Sequence, residues 1–375
     1  MSAFELKANV AANLAQAVYG LREGTNVAAA MVATAPGAPN LHDTVDVGQA
    51  KRIGGVSGFG AKSGFGMVSP VSGRQGEYLV VCRGTQTGSD WLSNGNVGVD
   101  RGPGGIPMHQ GFHKVYKSMR EQVMAELKGK NPSRIHVVGH SLGGAIANIF
   151  AVDFATQKGV GVKLYTFGAP RIAGTAMVGS VEQMIGRGNT RRVLAISDVV
   201  PMVPLWPFGH YADGAHRFDP GMGKLSLPAH YMDASYIPAC RGGWPAPMPP
   251  QPPKSVEYWL EKSMNAGGPL NAFALYALEK ALGAILKGVG IVIQSALTVS
   301  FTMVDWLAQV LTTAGQRLKR AGEQVAGWIM AAMKFLGREV VIKAGDVTTT
   351  LVRAVLDRFY RTLANIARRA IDRFV

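Results

Sequence analysis

The chain has 375 residues, which is long enough to bury a large core, and 47% of them are hydrophobic against 17% charged. This composition is typical of a globular, rather apolar protein with one large domain or with a domain and an extension. The two cysteines, Cys82 and Cys240, exclude a disulfide framework. Because no metal-ligand spacing occurs, we expect neither a structural zinc nor a cofactor. The formal net charge of +15 suits an anionic membrane or nucleic acid as a partner, with solubility alone as the other interpretation.

The first seven residues carry no basic stretch followed by an apolar one. A cleavable signal peptide has both, so the sequence predicts none. We therefore expect a protein made in the cytoplasm, which leaves the cell, if at all, by a signal-independent route and associates with membranes.

Strand and helix patterns alternate over the first 240 residues. Such alternation predicts an α/β fold with a mostly parallel sheet covered by helices. Glycine-rich residues 54–66 predict short, bent strands. Helices are predicted over 3–21, 111–128 and 143–158, and further strands over 78–82, 134–138, 163–167 and 192–196.

Residues 139–144 have the sequence Gly-His-Ser-Leu-Gly-Gly and lie between a predicted strand and a predicted helix. Strand, Gly-x-Ser-x-Gly and helix together indicate a nucleophile elbow, a sharp turn that exposes its serine at the sheet edge. The glycines remove side chains that would clash in the turn. Ser141 is therefore the candidate nucleophile, and the following helix N-terminus favours a developing oxyanion.

A serine nucleophile needs a base, and the base needs an orienting carboxylate. Asp198 comes just after the strand predicted to end at residue 196, where site residues of an open α/β sheet gather. Asp213, Asp219 and Asp233 lie in loops that no such strand precedes. Asp198 is therefore the predicted acid.

Three histidines follow Asp198 in the chain, namely His210, His216 and His230. We favour His230 as the base because it completes the order Ser, Asp, His expected of this fold type. Spacing alone does not exclude the other two. His140 adjoins the nucleophile in the elbow and is expected to pack or hydrogen-bond beneath the turn.

Two donors are needed to hold the oxyanion. The backbone N–H of Leu142, directly after the nucleophile, is one predicted donor. Thr85 follows the strand predicted over 78–82 and could donate its backbone N–H and its hydroxyl. These two residues form the predicted oxyanion hole.

Several short motifs together resemble the class 3 lipase family, an α/β-hydrolase group that includes fungal triacylglycerol lipases. The resemblance covers roughly residues 78–236 and implies Ser141 as nucleophile, Asp198 as acid, and Thr85 and Leu142 as oxyanion donors. A histidine near the domain end is implied as base, a position that His230 fits best. The matching pieces are Cys-Arg-Gly-Thr at 82–85, Asp-Trp at 90–91, His-Gln-Gly-Phe at 109–112, the elbow with Ala145, Thr-Phe-Gly-Ala-Pro-Arg at 166–171 and Asp-Val-Val-Pro at 198–201.

The family often has a lid after the oxyanion residue, which here would lie within residues 87–107. Its many glycines and polar residues would cover little apolar surface, so we expect weak interfacial activation or none. A fixed surface loop is the alternative.

Composition divides the chain into three parts: a hydrolase domain over 1–240, a proline-rich linker over 241–254 and a basic helical domain over 255–375. Sixteen basic and nine acidic residues lie from Lys254 onward. Residues 288–304 are uncharged but too short and polar for a simple membrane span, which favours a buried or re-entrant segment. Residues 351–375 predict a basic amphipathic helix that lies either on an anionic bilayer or on its own bundle.

We therefore expect a serine ester hydrolase of glycerolipids, with phospholipid favoured by the basic helical part and no nucleic acid as partner. Because it has a basic tail and no predicted signal peptide, the chain is similar to phospholipases that a type VI secretion system injects into rival cells. An antibacterial toxin of that kind would be paired with an immunity protein. A soluble carboxylesterase and a non-catalytic membrane-binding protein are the alternatives.

Overall fold

The structure is a computed structural model. It describes residues 4–21, 24–32, 37–56, 62–84, 99–174, 177–204, 208–210, 214–247, 254–288 and 303–372.

The strands form a large mixed sheet and a small antiparallel one. The large sheet has the order β1-β2-β3-β6-β7-β9-β11, parallel from β3 onward, and the small one the order β10-β8-β5-β4. The strands are β1 Lys51–Val56, β2 Lys62–Pro70, β3 Glu77–Cys82, β4 Val99–Arg101, β5 Pro107–His109, β6 Arg134–His140, β7 Gly161–Phe167, β8 Ala173–Gly174, β9 Thr190–Ala195, β10 Phe208–Gly209 and β11 Ala215–Phe218.

The helices cover the sheet and then form a bundle of their own. Short 3-10 turns connect several of them, including Val200–Met202 and Pro228–His230. The α-helices are α1 Ala8–Ala17, α2 Val27–Ala30, α3 Gln110–Leu127, α4 Leu142–Ala155, α5 Val178–Ile185, α6 Ile237–Cys240, α7 Val256–Met264, α8 Ala272–Gly288, α9 Met303–Arg317, α10 Lys319–Phe335 and α11 Thr349–Asp372.

The central strands are buried on both faces, which explains their nearly continuous apolar sequences. Val80 and Val137 point to the core that α3 and α4 cover. Their neighbours Val81 and Val138 point to the opposite core, beneath α1 and α6. This alternation, together with the elbow after β6, confirms the predicted α/β-hydrolase fold with its C-terminal helical region.

The helical region shares its apolar core with the hydrolase part. Val199, Val200, Met202, Val203 and Phe208 pack in one cluster with side chains of α7 to α11. In the same core, Trp328 donates a hydrogen bond to the carbonyl oxygen of Leu278 at 3.1 Å. The helix α11 also contacts the short helix Pro228–His230. The helical region therefore packs directly against segments of the hydrolase part, while the three-part division of the chain stays a prediction.

The apolar stripe of α11 faces this shared core. Val352, Phe359 and Leu363 are completely or almost completely buried. Arg361 lies on the outer face, where it pairs with Asp357 at 3.0 Å. Because the stripe is occupied by the bundle, the structure favours the packed alternative over a helix that lies apolar-side down on a bilayer.

Two predicted segments fall largely outside the described residues. Residues 289–302, most of the uncharged segment, are not described, and neither are residues 85–98, which hold the start of the predicted lid. The rest of that lid segment forms β4, a short 3-10 turn and the start of β5. Among the helices that are described, none combines the length and the apolar character needed to cross a membrane.

An ion pair joins the two parts of the molecule. Arg171, in the segment after β7, donates two hydrogen bonds to the carboxylate of Glu279 on α8, at 2.6 and 2.7 Å. Both side chains are only 14% exposed. A bidentate pair with so little solvent around it is geometrically specific and is screened little by salt.

We expect Glu279→Gln to lower the free energy of unfolding by about 2 kcal/mol, because Arg171 then stays partly buried without its counter-charge. Chemical denaturation would measure the loss. The double variant Arg171→Met with Glu279→Met should lose less than Glu279→Gln alone, since no unpaired charge remains. As a control, Asp357→Asn removes only the exposed pair with Arg361 and should change stability by less than about 0.5 kcal/mol. Equal losses for Glu279→Gln and Asp357→Asn would contradict the expectation.

Candidate active site

Ser141 occupies a strained turn between β6 and α4. Its backbone has φ 56° and ψ −133°, a conformation that side-chain-bearing residues rarely adopt. Strain of this kind costs on the order of 1–3 kcal/mol and persists only where the surroundings enforce it. The side chain is 2% exposed. The turn therefore holds the serine hydroxyl in a fixed and nearly closed position.

The glycines of the motif allow the turn because other backbone segments lie where their side chains would be. A Cβ atom on Gly143 would collide with the carbonyl oxygen of Cys82, at the end of the neighbouring strand. A Cβ atom on Gly139 would collide with the carbonyl oxygen of Gly143. One on Gly144 would lie 2.6 Å from the Cβ atom of Ala169. Any larger residue at these positions would push the elbow away from the sheet.

A chain of two hydrogen bonds links the candidate residues. The hydroxyl of Ser141 lies 2.9 Å from Nε2 of His230, and Nδ1 of His230 lies 2.8 Å from Oδ2 of Asp198. His230 and Asp198 are completely buried. With Nδ1–H donating to the carboxylate, Nε2 is left to accept the serine proton. The structure thus brings together three side chains that are far apart in the chain.

Asp198 is held by two further donors. The backbone N–H of Val200 donates to Oδ1 at 2.9 Å, and the hydroxyl of Tyr236 donates to Oδ2 at 2.6 Å. Burial, and then the Asp198 carboxylate, raise the pKa of Tyr236 well above its usual value, so the phenol keeps its proton. The carboxylate is therefore fixed in orientation by donors on both oxygens.

His140 supports the segment that carries His230. Its Nε2–H donates to the backbone carbonyl of His230 at 2.8 Å, while its Nδ1 accepts from the hydroxyl of Tyr19 at 2.9 Å. Burial, and then the neighbouring His230, hold the pKa of His140 well below 6.5. His140 is thus a neutral imidazole beneath the turn. The role of Tyr19 has no signal in the sequence, because 121 residues separate it from its partner.

This neutral histidine predicts a loss of stability in acid. Below pH 6.5 the unfolded chain binds a proton at residue 140 that the folded chain does not, so the free energy of unfolding falls by up to about 1.4 kcal/mol per pH unit. Urea unfolding at pH 7.5 and 5.5 would measure this. His140→Gln should lose about 1 kcal/mol less than the unmodified chain over that interval, and His42→Gln provides the matched substitution at an exposed histidine for comparison. If the free energy of unfolding depended on pH in the same way in His140→Gln and in the unmodified chain, the assignment of His140 as a buried neutral imidazole would be refuted.

The rival histidines have other partners. His210 lies 2.8 Å from the carbonyl oxygen of Pro201 through its Nε2, and His216 lies 2.6 Å from that of Pro245 through its Nδ1. The ring of His216 also lies against Trp244. Among the described contacts, only His230 bridges Ser141 and a carboxylate.

The rival aspartates bind their own loops. Asp219 accepts from the backbone N–H of Gly221, and Asp233 from that of Ala234. Asp213 lies outside the described residues.

Leu142 is the first residue of α4, so its backbone N–H belongs to the helix-terminal donors that lack a carbonyl partner within the helix. It therefore lies where the predicted oxyanion donor is needed. Thr85, the second predicted donor, lies outside the described residues.

Gly168 is a site residue that sequence reasoning missed. Its φ is +55°, and a Cβ atom there would lie 2.9 Å from Oδ2 of Asp198 and 3.1 Å from Nδ1 of His230. The glycine therefore leaves room for the hydrogen bond between acid and base. Its place after the strand β7, beside the elbow strand β6, was the available signal.

A serine on a strand-to-helix elbow, hydrogen-bonded to a histidine and an aspartate at the carboxyl edge of a parallel sheet, defines a protein of the α/β-hydrolase class. Residues 79–208 match the sequence model of the family described as Lipase (class 3). This match, together with the fungal relatives below, confirms the resemblance of this segment to class 3 lipases that its motifs indicated.

Fungal lipases are among the similar proteins. The secreted mono- and diacylglycerol lipase 1 of Fusarium solani is 31% identical over 180 residues, which are 46% of this chain and 52% of that protein. The secreted mono- and diacylglycerol lipase A of Penicillium cyclopium is 31% identical over 139 residues, 35% of this chain and 44% of that protein. The chain thus spans about half the length of these relatives. The solved triacylglyceride lipase of Rhizomucor miehei superposes with a TM-score of 0.40 at 23% identity, covering 56% of this chain and 78% of that one.

These relatives correct one prediction. Lipases of Fusarium solani, Penicillium cyclopium and Malassezia globosa are all named as secreted proteins. The predicted localisation, a cytoplasmic product without a signal peptide that leaves the cell by a signal-independent route, is therefore wrong. That prediction relied on the charge pattern of the first seven residues. A pattern this short is weaker evidence than sequence similarity over a whole segment.

Proposed function

We propose that the protein is a serine ester hydrolase that cleaves acyl esters of glycerolipids. One observation carries the proposal: Ser141, His230 and Asp198 form a continuous hydrogen-bonded chain, at 2.9 and 2.8 Å, on a strained elbow. The match of residues 79–208 to the class 3 lipase model supports the same chemistry.

In this mechanism His230 Nε2 takes the proton of Ser141 as its hydroxyl oxygen attacks the acyl carbonyl. Asp198 holds His230 in the required tautomer and stabilises the imidazolium that forms. The N–H of Leu142 stabilises the oxyanion, together with the predicted donor Thr85. The imidazolium then protonates the leaving alcohol. A water molecule, deprotonated by His230, releases the fatty acid from the acyl-enzyme in the second half of the reaction.

Mono- and diacylglycerols are the proposed substrates, because similar lipases from two fungi carry them in their names. Phospholipid is a narrower possibility that rests on charge. The outer face of α11 carries arginines, and the helical part has an excess of basic residues, both of which favour an anionic surface. Because the apolar stripe of α11 is buried, such a contact would use charge rather than insertion.

The test is a product analysis by mass spectrometry with vesicles of dioleoylglycerol, phosphatidylglycerol or phosphatidylcholine, beside soluble short-chain esters. The proposal expects oleate from dioleoylglycerol, and the phospholipid alternative expects oleate from phosphatidylglycerol at a comparable rate. Cleavage of short soluble esters alone would instead support a carboxylesterase. Absence of every product would support a non-catalytic membrane-binding protein. An antibacterial role and an immunity protein stay predictions from the sequence.

A further inference from the structure

A cavity of about 270 Å³ lies between the hydrolase part and the helical region. The hydrolase part contributes Ile196 and Met202, which lie on either side of Asp198 in the chain. The helical region contributes aromatic residues, among them Trp259 of α7 and Phe273 of α8. Phe273 is 47% exposed and lies at the edge of the cavity. The walls are thus mainly apolar, and they adjoin the segment of the catalytic acid.

A positive charge is built into the same cavity. Arg217, on the strand β11, lines it, and its guanidinium carbon lies 4.6 Å from the ring centre of Tyr276. The ammonium of Lys280 lies 5.3 Å from the same ring. Within the described part of the chain, no ion pair with an acidic side chain is formed by Arg217 or by Lys280. A partly buried arginine with no acidic partner favours an anionic ligand.

We infer that this cavity binds a long-chain fatty acid, with the chain against the apolar walls and the carboxylate on Arg217. The volume is close to the lower end of about 300–1,000 Å³ for ligand pockets, which suits a single chain better than a diacyl lipid. Acylglycerols are uncharged and would leave the guanidinium without a counter-charge. The product of their hydrolysis is a single-chain anion, so this choice of ligand rests on the proposed function.

The experiment measures binding without turnover, on the full chain carrying Ser141→Ala. Brominated fatty acids quench tryptophan fluorescence on contact, and Trp259 lines the cavity. We expect bromoundecanoate, below its micellar concentration, to quench with saturation, and Trp259→Phe to remove most of the quenching. In competition, laurate should displace the probe at least about tenfold better than dodecanol, because only laurate has a charge for Arg217.

Variants separate a charge effect from a folding defect. Arg217→Gln should weaken laurate binding by about tenfold or more and leave dodecanol unchanged, whereas Arg217→Lys should weaken laurate binding less, because the positive charge remains. Arg361→Gln, which removes the same charge from an exposed position, should change neither.

Three results would overturn the inference. The first is equal affinity for laurate and dodecanol, and the second is fluorescence quenching that persists in Trp259→Phe. The third is binding of dodecyl phosphate more than tenfold tighter than laurate, which would reassign the cavity to a lipid phosphate. Laurate binding by the Ser141→Ala chain, together with no ester hydrolysis by the unmodified chain, would refute the proposed function and leave the cavity assignment intact.

Discussion

Replacing Ser141 with alanine is expected to lower kcat on a diacylglycerol by about 10⁶, by analogy with serine proteases. Without the hydroxyl there is no acyl-enzyme, and the oxyanion donors act on a direct attack by water. Stability should hardly change, because alanine keeps a Cβ atom in the same strained backbone conformation. Initial rates of fatty-acid release, measured beside a urea unfolding curve, would separate the two effects.

Ser118→Ala is the matched control for this experiment. Ser118 is a partly buried serine on α3 whose hydroxyl donates to the carbonyl oxygen of Val115 at 2.6 Å, outside the elbow. Its loss should leave the rate within about twofold of the unmodified chain, since local surface changes are worth about 0.5 kcal/mol or less. A Ser141→Ala protein that retained a tenth of the original rate would end the covalent mechanism.

Asp198→Asn is expected to lower kcat by about 10⁴. The N–H of Val200 needs an acceptor at Oδ1, which it approaches to 2.9 Å, so the amide oxygen should turn to that side. The NH₂ group then faces Nδ1 of His230. That nitrogen must become the acceptor, which moves the ring proton to Nε2. An Nε2–H group has no lone pair with which to accept the proton of Ser141.

Two variants test this explanation. Asp233→Asn changes an exposed aspartate of the adjacent segment and should leave kcat unchanged. Tyr236→Phe removes the 2.6 Å hydrogen bond to Asp198 but keeps the carboxylate, so we expect a loss of about tenfold. Equal losses for Asp198→Asn and Tyr236→Phe would indicate that the carboxylate serves only to pack the site. In a crystal structure of Asp198→Asn, an unmoved imidazole would show that the tautomer, and not position, is what changed.

Local sequence patterns were sufficient to predict the strand and the helix on either side of the elbow. In β6, Ile135 and Val137 face one core and Val138 faces the other, because the strand is buried on both faces, and that pattern depends little on the rest of the chain. The glycines 139 and 143 are dictated by backbone contacts within the turn and with the adjoining strand. Such short-range constraints leave a clear signature in sequence.

Local sequence pattern was not sufficient to identify the residues of the candidate site. His210, His216 and His230 all follow Asp198, and only their hydrogen-bond partners in the folded chain distinguish them. Tyr236 follows His230 closely in the chain, but its bond to Asp198 depends on the turn that carries both residues back to the sheet edge. A chain order can restrict the candidates, whereas contact distances select among them.

The sequence by itself determined the fold class, the elbow serine and the resemblance to class 3 lipases, because strand-turn-helix geometry imposes strict residue requirements over a few positions. It left open whether the amphipathic stripe of α11 meets a bilayer or protein, since both environments are apolar and select the same side chains. Only the tertiary structure decided that point, by burying the stripe in a core shared with Val199 and Val200, beside the candidate acid Asp198. The cavity around Arg217 arises from the same packing, because its walls come from segments that meet only when the chain folds.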